Sequence, residues 1–194
     1  MLLQTGNKKS KIRVGIFRNY YELYVREKFD INVESEKYCQ SKETVVGRIF
    51  IAQTGDSVVK VAFDENEMKG FVEKETSLMT SAFAQIDEYL HGSRKTFTFP
   101  IKYVGTAFQI KVWKIIMDIP YGETRTYKQV AILIGSPNAV RAVGHANGKN
   151  PNLIITPCHR VVGSDGSLTG YAGSLDVKQK LLKIERSNKQ KPDL

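Results

Sequence analysis

A thiol, an imidazole and a guanidinium stand side by side at Cys158, His159 and Arg160. They follow Thr156 and Pro157; a proline fixes its own φ and pushes the residue before it toward extended backbone, so the thiol is presented on stiff chain. A thiolate is a strong nucleophile, but a free thiol with a pKa of about 8.5 is mostly protonated at neutral pH. We expect His159 and Arg160 to favour the anion. A buried structural cysteine at the end of a strand explains these residues equally well, and the residues alone leave both interpretations open.

Few other side chains extend this chemistry. Glu185 lies in the last apolar-patterned segment and is the best-placed carboxylate to orient the imidazole, with a water relaying the proton from the thiol. The second cysteine, Cys39, stands among charged and amide residues without a nearby histidine, and we interpret it as structural or incidental. With no CxxC pair and three histidines, the sequence predicts no metal site and no cofactor.

The composition is that of an ordinary globular protein of 194 residues, with 41% hydrophobic and 25% charged residues. No apolar run is long enough for a membrane span, and Met1 to Lys11 lacks the apolar core of a signal peptide. We therefore expect an intracellular protein without a membrane partner, cytoplasmic in a prokaryote and nuclear in a eukaryote. The net charge of +9 favours a nucleic-acid partner without deciding it.

The first half of the chain has the pattern of a small α/β unit. We predict a strand and short helix over 12–29, and a polar connection over 30–43. Alternating apolar residues predict two strands over 44–63, joined by a hairpin at Thr54-Gly55-Asp56. An apolar stripe predicts a helix over 78–91 that stops at Gly92, and 96–104 predicts a strand leading into a linker.

The second half changes to helices with clear start signals. Thr106 to Gln109 and Thr126 to Gln129 are capping-box patterns; the first helix carries Trp113, which we assign to the core, and the second ends at Gly135. Ser136-Pro137 predicts the N-cap and first residue of a third helix ending near 146. Two short helices joined by a glycine-containing turn are typical of a helix-turn-helix. The basic Arg141 on the second of them favours DNA as the partner.

After Cys158, Gly163 to Gly166 predicts a tight turn and Leu168 to Gly173 a loop of small residues around Tyr171. Small residues let backbone N–H groups approach a ligand. Ser174 can cap a last helix that carries Glu185 near its end.

Taken in order and spacing, several motifs resemble the O6-alkylguanine-DNA alkyltransferases, also called methylated-DNA–protein-cysteine methyltransferases. They are Gly105 to Trp113, Ile119 to Tyr127, Arg141-Ala-Val-Gly144, Asn150-Pro151, Pro157-Cys-His-Arg-Val161 and Gly170-Tyr-Ala-Gly173. The resemblance covers about residues 100–186. Residues 45–97 fit the family's variable first domain in outline, and residues 1–44 could not be aligned.

The resemblance implies a role for each matching residue. Cys158 would accept the alkyl group, His159 would act as base through water, and Glu185 would hold and polarise it. Tyr127 would donate a proton toward the departing guanine, and Asn150 would brace the turn before the cysteine. The residues implied to line the base pocket are Tyr171, Ala172, Gly173 and Val161.

Arg141 would enter the duplex in place of the flipped nucleotide, and the other residues implied to contact DNA are Thr126, Ser136, Ala139 and Arg160. The implied partner is duplex DNA containing alkylated guanine, bound by a monomer through the minor groove with little sequence preference. Each molecule would react once, with O6-alkylguanine and more weakly with O4-alkylthymine. Ala172 and Ser174 stand where some members have serine and glycine, which puts the range of alkyl groups in doubt.

The implied fold class is α/β (α+β). A ribonuclease-H-like domain of strands and a helix would span 1–99, including the extension over 1–44. A mostly helical domain with a helix-turn-helix of winged-helix type would span 100–194.

Three other functions remain to be distinguished. An alkyltransferase-like protein that binds damage without accepting the alkyl group would lack the cysteine. A thiol hydrolase would need an oxyanion hole and would turn over. A helix-turn-helix regulator with Cys158 as a sensor would prefer one operator sequence.

Overall fold

The computed structural model describes residues 36–190, so the strand and helix predicted over 12–29 lie outside it. Two 3₁₀ turns, Glu65–Met68 and Cys158–Arg160, accompany the regular elements. In chain order these are β1 (Lys37–Thr44), β2 (Gly47–Thr54), β3 (Ser57–Ala62), β4 (Val72–Glu73), α1 (Ser77–Leu90), α2 (Ala107–Met117), β5 (Arg125–Thr126), α3 (Tyr127–Leu133), α4 (Val140–Gly148), β6 (Val161–Val162) and α5 (Leu175–Asn188).

A four-stranded sheet in the order β3-β2-β1-β4 forms the first half. β1 pairs antiparallel with β2 and parallel with β4. The predicted polar connection over 30–43 is therefore wrong from residue 37 onward. Apart from Tyr38 and Cys39, which pack against the clusters on the two faces, the strand is polar. Its conformation comes from hydrogen bonds to two neighbouring strands, which the local sequence pattern does not reveal.

The predicted hairpin is confirmed: β2 and β3 pair antiparallel around Gly55 and Asp56. Both faces of β2 are buried. Ile49 and Ile51 face the main core, whereas Phe50 and Ala52 contribute to a smaller cluster with Met68 on the other face. This is why the strand has a continuous apolar run.

The predicted helix over 78–91 is confirmed as α1. The Thr76 side chain caps its start by accepting a hydrogen bond from the backbone N–H of Met79. Gly92 follows the helix with a φ of 77°, a left-handed conformation that glycine adopts without strain. The buried face of α1, from Met79 to Leu90, packs on the sheet in the main core.

The edge of β3 joins the sheet to the second half of the chain. The backbone N–H of Val61 donates to the carbonyl of Pro151, and the N–H of Leu153 donates to the carbonyl of Val61, both close to 3 Å. Val58 makes the corresponding bridge to Ile101, and this bridge is all that forms of the strand predicted over 96–104. The chain leading to Cys158 is thus hydrogen-bonded to the sheet.

Both predicted capping boxes are confirmed. Thr106 and Gln109 exchange side-chain and backbone hydrogen bonds at the start of α2, and Thr126 and Gln129 do so at the start of α3. Trp113 is buried, as predicted, and its Nε1 donates to the carbonyl of Ala146 at 2.9 Å, which ties α2 to α4.

The third helix of this half begins later than predicted. Ser136 and Pro137 lie in a turn whose Ser136 carbonyl accepts from the N–H of Ala139, and α4 starts at Val140 without a side-chain cap. The predicted Ser136 N-cap is wrong because Gly135, with a φ of 74°, is followed by one more turn before the helix. The helix-turn-helix itself is present as α3 and α4, packed through a second core that contains Val130, Ala131 and Val143. Within residues 36–190 no helix has the length and apolar content to cross a membrane.

Candidate functional site

The chain entering the site is buried but is not a strand. Leu153, Ile154 and Ile155 are each at most 3% exposed, and Ile154 has a φ of 70°. A left-handed β-branched residue costs conformational energy and persists only where packing holds it. The strand end assumed in one of the two interpretations of Cys158 is absent: this segment turns on itself, and Cys158 begins a 3₁₀ turn.

Asn150 holds both the thiol and the turn that carries it. Its Nδ2 lies 3.0 Å from Cys158 Sγ and donates to the carbonyl of Thr156 at 2.9 Å. Its Oδ1 accepts the backbone N–H of Asn152 at 3.0 Å. One buried amide therefore fixes the loop between α4 and the cysteine and points a donor at sulfur.

The thiol is fully buried, and burial raises the pKa of Cys158 to about 11. The hydrogen bond from Asn150 and the charge of Lys178 oppose this shift without cancelling it. The expectation that the neighbouring cations favour the thiolate is therefore wrong for the protein without substrate. At neutral pH the sulfur keeps its proton, so any reaction of the thiol needs a base.

His159 and Glu185 form a buried pair beside the cysteine. His159 Nε2 lies 2.7 Å from Glu185 Oε1, and the other carboxylate oxygen accepts the backbone N–H of Gly122 at 2.8 Å. The other ring nitrogen, Nδ1, is buried and has no hydrogen-bond partner in the described part of the chain. Glu185, which the sequence analysis predicted to orient the imidazole, is therefore the carboxylate that contacts it, although it lies 26 residues away in sequence.

Arg160 is an internal ion-pair partner of this carboxylate. Its Nε and Nη2 donate to Glu185 at 2.9–3.0 Å, Nη1 donates to the carbonyl of Ile119, and the residue is 6% exposed. The prediction that Arg160 contacts DNA does not fit these surroundings, because a guanidinium paired inside the protein is not available to a phosphate.

The two titratable partners shift in the direction expected of a neutral imidazole on an ionised carboxylate. Burial lowers the pKa of His159, against the opposing hydrogen bond and charge of Glu185. Burial alone would raise the pKa of Glu185, but hydrogen bonds and charges from His159 and Arg160 outweigh it and lower that pKa to about 2. The pair is suited to accept a proton at His159.

Tyr127 lies near the thiol, at the start of α3. Its hydroxyl donates to the carbonyl of Thr169 at 2.8 Å, and burial raises its pKa, with the nearby Cys158 contributing. A Cβ on Gly170 would lie 2.7 Å from this hydroxyl, so a glycine is required where the loop passes the tyrosine. Tyr127 is thus a protonated donor next to the cysteine.

The residues predicted to line a base pocket are divided between surface and core. Tyr171 is buried with its ring edge-on to His159 at 6.4 Å, and Ala172 is exposed on the same loop. Ala172, together with Asn150, also borders a cavity of about 730 Å³. Val161 packs its side chain into the core of the helical half. Lining of a pocket by these residues stays a prediction.

Two buried polar residues at the site were not identified from the sequence. Lys178 Nζ donates to the carbonyls of Val161 and Thr169, and Asn147 Nδ2 donates to that of Gly170 at 3.1 Å. Burial lowers the pKa of Lys178 to about 8. Lys178 is spaced seven residues before Glu185 on the apolar face of α5, and two charges on such a face were an available signal.

Apart from Arg160, the residues predicted to contact DNA lie on the helix-turn-helix. Arg141 is exposed in the first turn of α4, and Thr126 caps α3. Ser136 and Ala139 are partly exposed in the turn between these helices. Residues 36–190 contain no group of three His, Cys, Asp or Glu side chains placed to bind a metal ion.

Models of two protein families match this chain in succession. Residues 20–103 match the model described as 6-O-methylguanine DNA methyltransferase, ribonuclease-like domain, and residues 107–187 match the DNA binding domain of the same name. The first match begins before residue 45, where the resemblance could first be followed. The predicted fold class is confirmed, whereas the domain boundary at residue 99 stays a prediction.

Similar proteins share most of the length. The chain is 44% identical over 157 residues to the constitutive methylated-DNA–protein-cysteine methyltransferase of Bacillus subtilis (strain 168), covering 77% of this chain and 95% of that protein. A methylated-DNA–protein-cysteine methyltransferase of Mycobacterium leprae is 37% identical over 153 residues, covering 77% and 92%. The crystal structure of Mycobacterium tuberculosis OGT in complex with DNA matches with a TM-score of 0.74 and 38% identity, covering 78% and 94%.

Proposed function

Because this chain belongs to the methylated-DNA–protein-cysteine methyltransferase family, we propose that it transfers the alkyl group of O6-alkylguanine, and more weakly of O4-alkylthymine, irreversibly to Cys158. The family makes it a methyltransferase that binds DNA and acts in DNA repair. The proposal adds the substrate atoms, the acceptor and the way in which DNA is held.

The arrangement around Cys158 carries the proposal. The thiol is fully buried, has Asn150 as a donor at 3.0 Å, and stands beside a base, His159, that is oriented by Glu185. In the transfer step, sulfur forms a bond to the alkyl carbon while the C–O6 bond breaks and its electron pair stays on the guanine. His159 takes the thiol proton through a water, and Tyr127 gives a proton to the departing base.

Burial of the acceptor supports reaction with a flipped nucleotide. The alkyl group on O6 lies inside the base stack, and extruding the nucleotide costs on the order of a few kcal/mol. Arg141 is exposed at the start of α4, where it can fill the gap that the nucleotide leaves and meet phosphate. We therefore propose that α4 enters the minor groove and that a monomer binds with little sequence preference.

The number of reactions per molecule follows from the product. A thioether at Cys158 has no good leaving group, so the alkyl group stays on the sulfur. Each molecule is thus consumed by one alkyl group, which separates this function from that of a thiol hydrolase.

The test is intact-mass spectrometry after incubation with excess duplex DNA that contains O6-methylguanine. We expect one methyl group per protein, located on the Cys158 peptide. The Cys158→Ala variant should gain none, whereas the matched Cys39→Ala variant should gain one. No adduct on the wild-type protein, or an adduct that persists in Cys158→Ala, would overturn the proposal.

A further inference from the structure

Tyr89 extends a hydroxyl from α1 into the acid–base pair of the site. Its oxygen is hydrogen-bonded to Glu185 Oε1 and lies 3.2 Å from His159 Nε2. The residue is fully buried and stands 70 residues before the histidine in sequence. Thus the sheet half of the molecule contributes a polar group to a site whose other members come from the helical half.

The direction of these hydrogen bonds follows from what each atom can do. An ionised carboxylate only accepts, so the Tyr89 O–H donates to Glu185 Oε1. His159 Nε2 is 2.7 Å from the same oxygen, and a lone pair there would face the lone pairs of the carboxylate. The hydrogen of the neutral ring is therefore on Nε2, and Nδ1 carries the free lone pair.

We propose that Tyr89 is a positioning residue of the acid–base pair: its hydroxyl partly satisfies Glu185 and so keeps His159 neutral, with Nδ1 free to take the thiol proton. This inference rests on the proposed function of Cys158. With fewer donors, the Glu185 carboxylate would hold a proton on the imidazole more strongly, and a protonated ring cannot accept another.

Several titratable or charged groups surround His159 from every element packed on it. They are Tyr89 from α1, Glu185 and Lys178 from α5, Cys158 and Arg160 from its own turn, and Tyr171 from the loop over residues 168–173. Burial raises the pKa of Tyr89 well above its ordinary value, so its hydroxyl keeps the proton that it donates.

A purely structural role would need only the ring. The ring of Tyr89 packs against Phe97 at 5.4 Å and edge-on to Tyr121 at 5.7 Å. Phenylalanine preserves these contacts and removes only the oxygen, so Tyr89→Phe separates the two roles. The matched control is Tyr103→Phe, which removes a partly buried hydroxyl bonded to Thr156 Oγ1.

The experiment measures single-turnover methyl transfer from O6-methylguanine duplex as a function of pH. For Tyr89→Phe we expect a rate about tenfold lower at neutral pH, a deficit that shrinks as pH rises, and an acidic limb displaced to higher pH. Tyr103→Phe should keep the wild-type limb. A rate lowered equally at all pH values, or an unchanged profile, would overturn the proposal.

Nitrogen NMR of the His159 ring tests the same inference without methyl transfer, and so distinguishes its failure from failure of the proposed function. In the wild-type protein at neutral pH we expect hydrogen on Nε2 and none on Nδ1, and in Tyr89→Phe a titration midpoint at higher pH. Hydrogen on Nδ1 in the wild-type protein would overturn the inference even if the variant does not fold.

Discussion

The sheet half, residues 36–101, and the helical half, residues 106–190, differ in how clearly their sequences indicate a function. The helical half contains Cys158, two capping boxes and Arg141. The sheet half has none of these, yet it holds the chain before Cys158 at Val61 and delivers Tyr89 to Glu185. A site can therefore be recognised from one half of a protein while depending on both.

The largest expected effect comes from Glu185, where the halves meet. Glu185→Gln removes the charge that pairs with the buried Arg160, and leaving one ion of a buried pair costs about 3–5 kcal/mol of stability. Urea unfolding at neutral pH measures it. The control is Glu123→Gln, whose partly exposed ion pairs with Arg125 and Lys189 should be worth about 0–1 kcal/mol. Equal losses in the two variants would contradict the prediction.

The pKa of Glu185 predicts how the free energy of unfolding depends on pH. Its pKa falls from an ordinary 4.5 to about 2 on folding, so the folded state binds fewer protons between these values. Its contribution is complete above pH 4.5 and is lost as pH falls toward 2. Unfolding free energies of the wild-type protein should therefore decline more steeply over this range than those of Glu185→Gln, and parallel curves would contradict the assignment.

Local chemistry was predictable from the sequence, and non-local pairing was not. The capping boxes at Thr106 and Thr126 satisfy their own backbones within four residues, so pattern suffices. β1 is a strand because two neighbours bond to it, and the lead-in to Cys158 is a turn because the core holds Ile154 at a positive φ. The sequence pattern around Arg160 does not show that it is an internal ion-pair partner, because the carboxylate that it pairs with lies 25 residues away. This is why Arg160 was assigned to DNA.

A core substitution in α1 tests whether the sheet half supports the site. Ile86→Ala, in the core cluster that also contains Cys158, should cost about 3 kcal/mol and slow transfer from free O6-benzylguanine. Ile116→Ala, equally buried in the separate core of the helical half, should cost a similar amount but slow this reaction less. Chemical unfolding and single-turnover kinetics measure both quantities. A larger kinetic defect in Ile116→Ala would reverse the comparison.

We expect DNA binding and nucleotide flipping to depend on the helical half alone. Arg141→Ala should slow transfer from duplex DNA about tenfold, because the variant loses the phosphate contact and the filling of the gap that we propose for this side chain. Transfer from free O6-benzylguanine, which needs no flipping, should change much less. Arg48→Ala removes an exposed arginine from β2 and should leave both rates within about twofold. Equal slowing of the two substrates by Arg141→Ala would remove its assigned role.

The smallest effect is expected at the other cysteine, which lies in the sheet half. Cys39 is partly buried on β1, and burial, with Glu73 and Glu65 adding to it, raises the pKa of its thiol. Within residues 36–190, the groups that act on this thiol are the carboxylates of Glu73 and Glu65, whose charges disfavour the thiolate. Cys39→Ser should change the unfolding free energy by no more than about 0.5 kcal/mol and leave the transfer rate unchanged, whereas Cys158→Ser should abolish transfer. A slower Cys39→Ser protein of normal stability would mean that the sheet half takes part in the chemistry beyond Tyr89.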